Sequence, residues 1–154
     1  MEEAQINILY IDDEVNNLNV FKATFRFSYN IFLAESPTEG RKILDENDIH
    51  IIITDQRMPE MTGVEFLSSI LDVHPDPIRI LLTGYSDINA VIDAINKGKI
   101  YHYVGKPWDE AQIKIVIDKA FEVYSLRKEN KELIEKLSKA NEQLEFLLRQ
   151  NLLS

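Results

Sequence analysis

Five polar side chains stand where short apolar runs of the sequence end: Asp12, Asp13, Asp55, Thr83 and Lys106. A short apolar run that ends at a breaker indicates a strand buried on both faces. If these strands form a parallel sheet, their carboxyl ends meet at one edge, where open α/β sheets bind ligands. The sequence therefore predicts that the three acids, the hydroxyl and the ammonium share one site.

The chemistry of such a site follows from its charges. Three carboxylates at one spot repel each other unless a cation lies among them, and oxygen ligands favour Mg²⁺ (or Mn²⁺). No cysteine is present, and His102, the one histidine near these strand ends, is expected to have a structural or surface role, so a zinc site is not expected. An ionised aspartate beside a cation can attack phosphorus. The metal, Lys106 and Thr83 would then each bind one oxygen of the acyl phosphate.

The elements that position these residues alternate along the chain. Strands are predicted at about 6–11, 30–34, 51–55, 78–82 and 101–104. Helices are predicted at about 15–27, 37–46, 62–73 and 88–97, and a long final helix begins at Asp109 and Glu110. The second and third helices open with the capping boxes Ser36-Pro37-Thr38-Glu39 and Thr62-Gly63-Val64-Glu65. The fourth, capped by Ser86-Asp87, is predicted to bury Ile88, Val91, Ile92 and Ile95.

Five such βα units predict an α/β fold with a five-stranded parallel sheet and helices on both faces. A flavodoxin-like strand order 2-1-3-4-5 places strands one and three beside the switch point of the sheet. That order brings Asp12, Asp13 and Asp55 together.

Composition narrows the class of protein. The chain has 154 residues, 45% of them hydrophobic, and no apolar stretch of membrane-spanning length. Of 17 basic and 26 acidic residues, six basic and five acidic lie after Tyr124, so residues 1–124 carry a net charge of −10. This acidity argues against direct binding to nucleic acid or to an anionic membrane. The absence of cysteine and of a signal-peptide pattern fits a cytoplasmic protein.

Five motifs in register carry a family resemblance. Asp12-Asp13-Glu14, Asp55-x-x-Met58-Pro59, Gly63, Thr83-Gly84 and Tyr103-x-x-Lys106-Pro107 resemble the receiver domain of two-component response regulators, over about residues 5–124. The resemblance implies a CheY-like fold and phosphorylation of Asp55 by a histidine kinase or a phosphotransfer protein.

The same resemblance implies roles for individual residues. Asp12 or Asp13, Asp55 and the backbone carbonyl of Arg57 would position Mg²⁺. Lys106 would form a salt bridge with the phosphoryl group, and the Lys106–Pro107 bond is expected to be cis. The activity would be limited to the domain's own phosphoryl transfer and autodephosphorylation.

A switch is also implied. Thr83 and Tyr103 match the family's switch pair, in which the hydroxyl moves to the phosphoryl oxygen and the ring swings inward. The face of helix four, strand five and helix five would report the state. Arg57 and Tyr85 would flank the path of hydrolytic water and tune the dephosphorylation rate.

The end of the chain shows a heptad pattern. Apolar residues, together with Asn130, recur at alternating spacings of three and four, which predicts a coiled coil over residues 123–154, continuous with helix five of a receiver domain over 1–122. The a and d positions are Val123, Leu126, Asn130, Leu133, Leu137, Ala140, Leu144, Leu147 and Asn151. Asn130 at an a position favours a parallel homodimer, and Glu122 could pair with Arg127 between chains. Ile134 and Leu148 widen the stripe, which leaves an antiparallel or higher-order bundle open.

The sequence thus predicts a phosphorylation-controlled receiver that dimerises and signals to an output module. Two alternatives stay open. One is a constitutive dimerisation module with an idle pocket. The other is a phosphatase of the haloacid dehalogenase type, although that class needs a second aspartate where Arg57 stands.

Overall fold

The computed structural model describes residues 5–84, 86 and 88–153 of the chain, the side chain of Leu153 excepted. The five strands are β1 (Asn7–Ile11), β2 (Asn30–Ala34), β3 (Ile51–Asp55), β4 (Ile78–Thr83) and β5 (His102–Gly105). The helices are α1 (Val15–Phe25), α2 (Pro37–Glu46), α3 (Gly63–Ile70), α4 (Ile88–Asn96) and α5 (Glu110–Leu153). All strand pairs are parallel, in the order β2-β1-β3-β4-β5. The predicted fold class and strand order are confirmed.

The sheet separates two hydrophobic cores because successive side chains of a strand point to opposite faces. Ile8, Tyr10, Ile51 and Ile53 face α1 and α5, where they meet Phe21, Phe25, Ile113 and Ile117. Leu9, Ile11, Ile52 and Leu81 face α2, α3 and α4, where they meet Leu44, Phe66, Leu67 and Val91. Every residue of β3 and β4 is buried, as expected for central parallel strands.

The bounds of several helices and strands differ from the predicted ones by one to three residues. α1 ends at Phe25, because the Ser28 and Tyr29 amides both bond back to the Phe25 carbonyl in a turn. α3 ends at Ile70 rather than near Val73, which is exposed in the turn before Pro75. β5 begins one residue later than predicted and continues through Gly105.

The predicted buried face of α4 needs correction. Val91 and Ala94 are buried, Ile88 and Ile95 are half-buried, and Ile92 is 46% exposed. Residues 91 and 94 lie on the same side of the helix, whereas residue 92 is about 100° further round. Ile92 therefore points outward even though it is apolar. The Ser86-Asp87 cap includes Asp87, which lies outside the described residues.

α5 has two parts with different surroundings. Ile113, Ile117, Ala120 and Tyr124 pack into the core, whereas every described side chain after Tyr124 is exposed. That second part extends roughly 40 Å beyond the sheet at about 1.5 Å per residue. None of the helices in the described part of the chain combines the length and apolarity that crossing a membrane requires.

Candidate functional site

The carboxyl ends of the strands bring the predicted acids together. Asp12 follows β1 and Asp55 ends β3, which pairs with β1 at the switch point of the sheet. Asp12, Asp13 and Asp55 each place one carboxylate oxygen within 4.8 Å of the others. Lys106 follows β5, and its ammonium donates to Oδ1 of Asp55.

Asp12 is fully buried and accepts three hydrogen bonds. The Glu14 backbone amide donates to Oδ1 at 3.0 Å. The Tyr10 hydroxyl and the Asn17 side-chain amide donate to Oδ2, at 2.9 and 3.1 Å. Burial, with the nearby Asp12 charge, raises the pKa of Tyr10 far above its ordinary value, so its hydroxyl remains a donor.

Tyr10 and Asn17 are site residues that sequence reasoning missed. A tyrosine inside an apolar strand reads as a core aromatic, and Tyr10 does stack on Phe21 at 4.2 Å. One signal was available. A strand residue two positions before Asp12 points to the same face of the sheet as Asp12 does.

Asp55 is 6% exposed, so its charge is costly in the absence of a partner. Burial raises the pKa of Asp55, while the hydrogen bond and charge of Lys106 oppose that rise. A divalent cation would oppose it further. The three carboxylates supply only oxygen ligands, and such a set of donor atoms fits Mg²⁺. The residues that would hold the ion are Asp12, Asp13 and Asp55.

The loop after β3 is held by Gln56, a third residue that sequence reasoning missed. Its backbone amide donates to the Leu82 carbonyl at 3.1 Å, and its carbonyl accepts from the Gly63 amide at 2.9 Å. Its side-chain carbonyl accepts from the Val64 amide at 3.0 Å. Gln56 therefore ties the Asp55 loop to both β4 and the start of α3.

The two predicted switch residues line one cavity of about 390 Å³, together with Ile88 and Lys106. Thr83 is buried, and its hydroxyl donates to the Gly84 carbonyl at 3.1 Å. Tyr103 is half-buried and packs against the core that contains Leu81 and Val91. Thr83 therefore shares one cavity with Tyr103 and with Lys106, whose ammonium pairs with Asp55.

The other predicted residues that the structure describes lie in the loops around the acidic cluster and on α5. The Arg57 side chain is exposed, and its guanidinium donates to the Ser86 hydroxyl at 2.6 Å. Tyr85, expected with Arg57 to tune dephosphorylation, lies outside the described residues. The Lys106–Pro107 peptide bond is cis. Val123 is half-buried against the core, and the other heptad residues through Asn151 are exposed on α5.

Comparison with known proteins places this site in context. The model of the response regulator receiver domain matches residues 8–118. The hydrogenase transcriptional regulatory protein HoxA of Bradyrhizobium diazoefficiens is 34% identical over 125 residues, which cover 81% of this chain and 26% of HoxA. The chain spans about a quarter of the length of the curated relatives it matches.

Solved structures resemble the chain along most of its length. The crystal structure of adenylate cyclase from Rhodopirellula baltica has a TM-score of 0.83 and 28% identity, covering 86% of this chain and 99% of that one. A receiver domain protein from Clostridium thermocellum has a TM-score of 0.74 and 33% identity, covering 79% and 98%.

Proposed function

The chain belongs to the response regulator receiver family, and from this premise we propose that it accepts a phosphoryl group on Asp55 in a Mg²⁺-dependent reaction. It is a receiver domain of two-component signalling, and receiver domains of response regulators are phosphorylated by histidine kinases. Receiver domains are signalling domains rather than classical enzymes. The direct donor to this chain would be a histidine kinase or a phosphotransfer protein.

The convergence of three carboxylates and one ammonium supports this proposal most strongly. A carboxylate oxygen of Asp55 attacks phosphorus, an acyl phosphate bond forms, and the bond from phosphorus to the donor breaks. Mg²⁺, when bound, would neutralise charge on the transferred group. Lys106 leaves its ion pair with Asp55 to hold one phosphoryl oxygen. The Thr83 hydroxyl releases the Gly84 carbonyl and donates to a second phosphoryl oxygen instead.

The response to phosphorylation is proposed to involve Thr83 and Tyr103. Once Thr83 turns towards the phosphoryl group, the cavity of about 390 Å³ beside it can receive the Tyr103 ring. A small change in charge then shifts the packing of α4, β5 and α5. Because α5 is one uninterrupted helix, a shift of its first part also moves its far end. Arg57 and Tyr85 are proposed to tune how fast the acyl phosphate is hydrolysed, including by autodephosphorylation.

The exposed part of α5 is proposed to form a homodimeric coiled coil that leads to an output module. The domain boundary at residues 122 and 123 stays a prediction, as does a cytoplasmic location. The apolar side chains Leu126, Leu133, Leu137, Leu144 and Leu147 are each more than half exposed in one chain. A stripe of that length is stabilised in water when a second helix covers it.

Acetyl phosphate provides the test of phosphoryl acceptance. With Mg²⁺ present, intact mass spectrometry should show one added phosphoryl group, which Asp55→Asn abolishes. Asp48→Asn, which changes an exposed aspartate at the opposite edge of the sheet, is the matched control. An unmodified wild-type chain would support the alternative of a dimerisation module with an idle pocket.

A further inference from the structure

The hydrogen bonds of Asp12 leave its two oxygens in different states. Oδ2 accepts from both the Tyr10 hydroxyl and the Asn17 amide, at 2.9 and 3.1 Å. Among the described residues, the Glu14 backbone amide is the one donor to Oδ1, at 3.0 Å. A carboxylate oxygen offers about two lone-pair directions. These two donors therefore saturate Oδ2, whereas the described donors leave one lone-pair direction of Oδ1 unused.

Both donors to Oδ2 are held in place by other contacts. Tyr10 is 1% exposed, and its ring is nearly parallel to Phe21, with 4.2 Å between ring centroids and 12° between planes. The Asn17 amide also donates to the Glu14 carboxylate at 3.2 Å. If Asp12 rotated to present both oxygens to an ion, its two hydrogen bonds to Tyr10 and Asn17 would break. Because Asp12 is fully buried, water could not replace them.

We propose that Tyr10 and Asn17 are positioning residues that restrict Asp12 to binding a cation through one oxygen, and that this restriction favours Mg²⁺ over Ca²⁺ at the receiver site. The inference rests on the proposed function, because it concerns the same Asp12, Asp13 and Asp55 cluster. Mg²⁺ requires a small, regular octahedron, whereas Ca²⁺ accepts six to eight oxygens and often takes both oxygens of one carboxylate. Freeing Oδ2 removes a constraint that disfavours Ca²⁺.

The substitutions Tyr10→Phe and Asn17→Ala test this directly. Each removes one donor to Oδ2, and Tyr10→Phe retains the ring that stacks on Phe21. The dissociation constants of Mg²⁺ and Ca²⁺ are measured by isothermal titration calorimetry on the full chain. Fluorescence of Trp108, the single tryptophan, follows the same titrations, since Trp108 lines a cavity with Tyr10, Asn17 and Lys106.

The expected result is a shift in selectivity. Substitution of a residue that hydrogen-bonds to a metal ligand commonly changes the affinity for the metal by about 10- to 100-fold. We expect the ratio of the Ca²⁺ to the Mg²⁺ dissociation constant to fall about 10-fold in each variant, and further in the double variant. Unfolding removes the sites for both ions alike, so this ratio reports the site rather than stability.

Tyr29→Phe is the matched control. Tyr29 is equally buried, and its hydroxyl also donates to a carboxylate, that of Asp118 at 2.9 Å, remote from the cluster. This variant should keep the wild-type ratio. The inference is overturned if wild type binds Mg²⁺ and both site variants keep its ratio. A wild-type chain that binds neither ion instead overturns the metal site itself, and the inference with it.

Discussion

At the scale of single residues, the pair of Asp55 and Lys106 combines two opposing electrostatic effects. Burial raises the pKa of Asp55, because a charged carboxylate loses hydration at 6% exposure. Lys106 stabilises the ionised form through a direct hydrogen bond. The ionised form is the one able to attack phosphorus, so in the proposed reaction Lys106 would favour the reactive form of Asp55.

The substitution Lys106→Met should therefore slow phosphorylation by acetyl phosphate about 100-fold, the scale of losing one preorganised charge at a reacting oxygen. It should also change the pH dependence. The rate falls as pH drops through the pKa of Asp55, and without Lys106 that pKa is higher. The fall should then begin at higher pH than in wild type, as measured by pH–rate profiles from intact mass.

The control for this experiment is Lys97→Met, which removes an exposed lysine paired only locally with Asp93 on α4. It should keep the wild-type profile. A Lys106→Met profile that matches wild type in both rate and position would show that Lys106 has no part in phosphoryl acceptance.

At the scale of elements, the start of α3 packs against the end of β3 with no space for a side chain. A Cβ on Gly63 would lie 2.5 Å from the backbone carbonyl oxygen of Asp55 and 2.6 Å from a methyl of Leu81. The carbonyl belongs to a fully buried strand and cannot move aside easily. The close approach thus fixes the loop that carries Arg57 relative to Asp55, the proposed phosphoacceptor.

We expect Gly63→Ala to reduce the free energy of unfolding by about 2 kcal/mol, the typical cost of overpacking. Gly105→Ala is the matched control, because a Cβ there meets nothing within 4 Å. Its effect should be below about 0.5 kcal/mol. Urea denaturation of both variants measures the difference, and equal effects would contradict the predicted clash.

His50 joins the sheet to the middle of α5. Its Nδ1 accepts from the Asn7 backbone amide at 2.9 Å, and its ring packs edge-on against Phe121 and Tyr124. Burial lowers the pKa of His50, with Lys128 adding to that effect and Asp48 opposing it. Protonation would replace the acceptor with a donor that faces another donor.

Because the pKa of His50 is lower in the folded chain, the unfolded chain binds more protons on the acid side of pH 6.5. Stability should be fully present above pH 6.5 and decrease as pH falls towards the folded pKa, by about 1 kcal/mol for one disrupted hydrogen bond. His50→Asn keeps a similarly placed acceptor and does not titrate, so its pH slope should be shallower. Urea denaturation from about pH 7.5 to about pH 5, roughly one unit above and one and a half units below the reference pKa, checks this. Parallel slopes would refute the assignment.

At the scale of the whole molecule, the compact receiver and the exposed helix have different sources of stability. The receiver buries two apolar cores, whereas the helix beyond Tyr124 has no buried side chain among those described. In a parallel dimer that is in register, the a-position Asn130 of one chain faces Asn130 of the other, and Asn151 likewise faces Asn151. In an antiparallel dimer, Asn130 would instead face an apolar side chain at a d position, which is unfavourable for its amide.

A single introduced cysteine can test this arrangement, because the chain has none. Ala140→Cys places a thiol at a d position and should form an interchain disulfide under mild oxidation, since opposite d positions are close in a parallel coil. Lys139→Cys, at an outer c position, is the control.

Sedimentation tests the dimer itself. The wild-type chain should sediment as a dimer. The double substitution Leu137→Lys with Leu144→Lys should dissociate this dimer, whereas Glu142→Lys, at an outer f position, should preserve it. A monomeric wild-type chain would contradict the coiled-coil proposal.

The sequence by itself determined the α/β class, the strand order and the meeting of Asp12, Asp13, Asp55 and Lys106. The α/β class follows from strand periodicity, and the meeting of these four side chains follows from the rule that parallel strands end at one edge of a sheet. The strand order is that of the flavodoxin-like fold, which the alternation of strands and helices favours. The outward position of Ile92 followed only from the rotation of α4 about its axis in the packed molecule.

Only the tertiary structure decided which groups support the site. In the sequence, Tyr10, Asn17 and Gln56 resemble ordinary residues of a strand, a helix and a loop. In the structure they hold Asp12 and the Asp55 loop through hydrogen bonds of 2.9–3.1 Å. A hydrogen bond depends on distance and angle between atoms on separate elements. Those quantities are set when the elements pack, which is why sequence patterns could place the acids but not their donors.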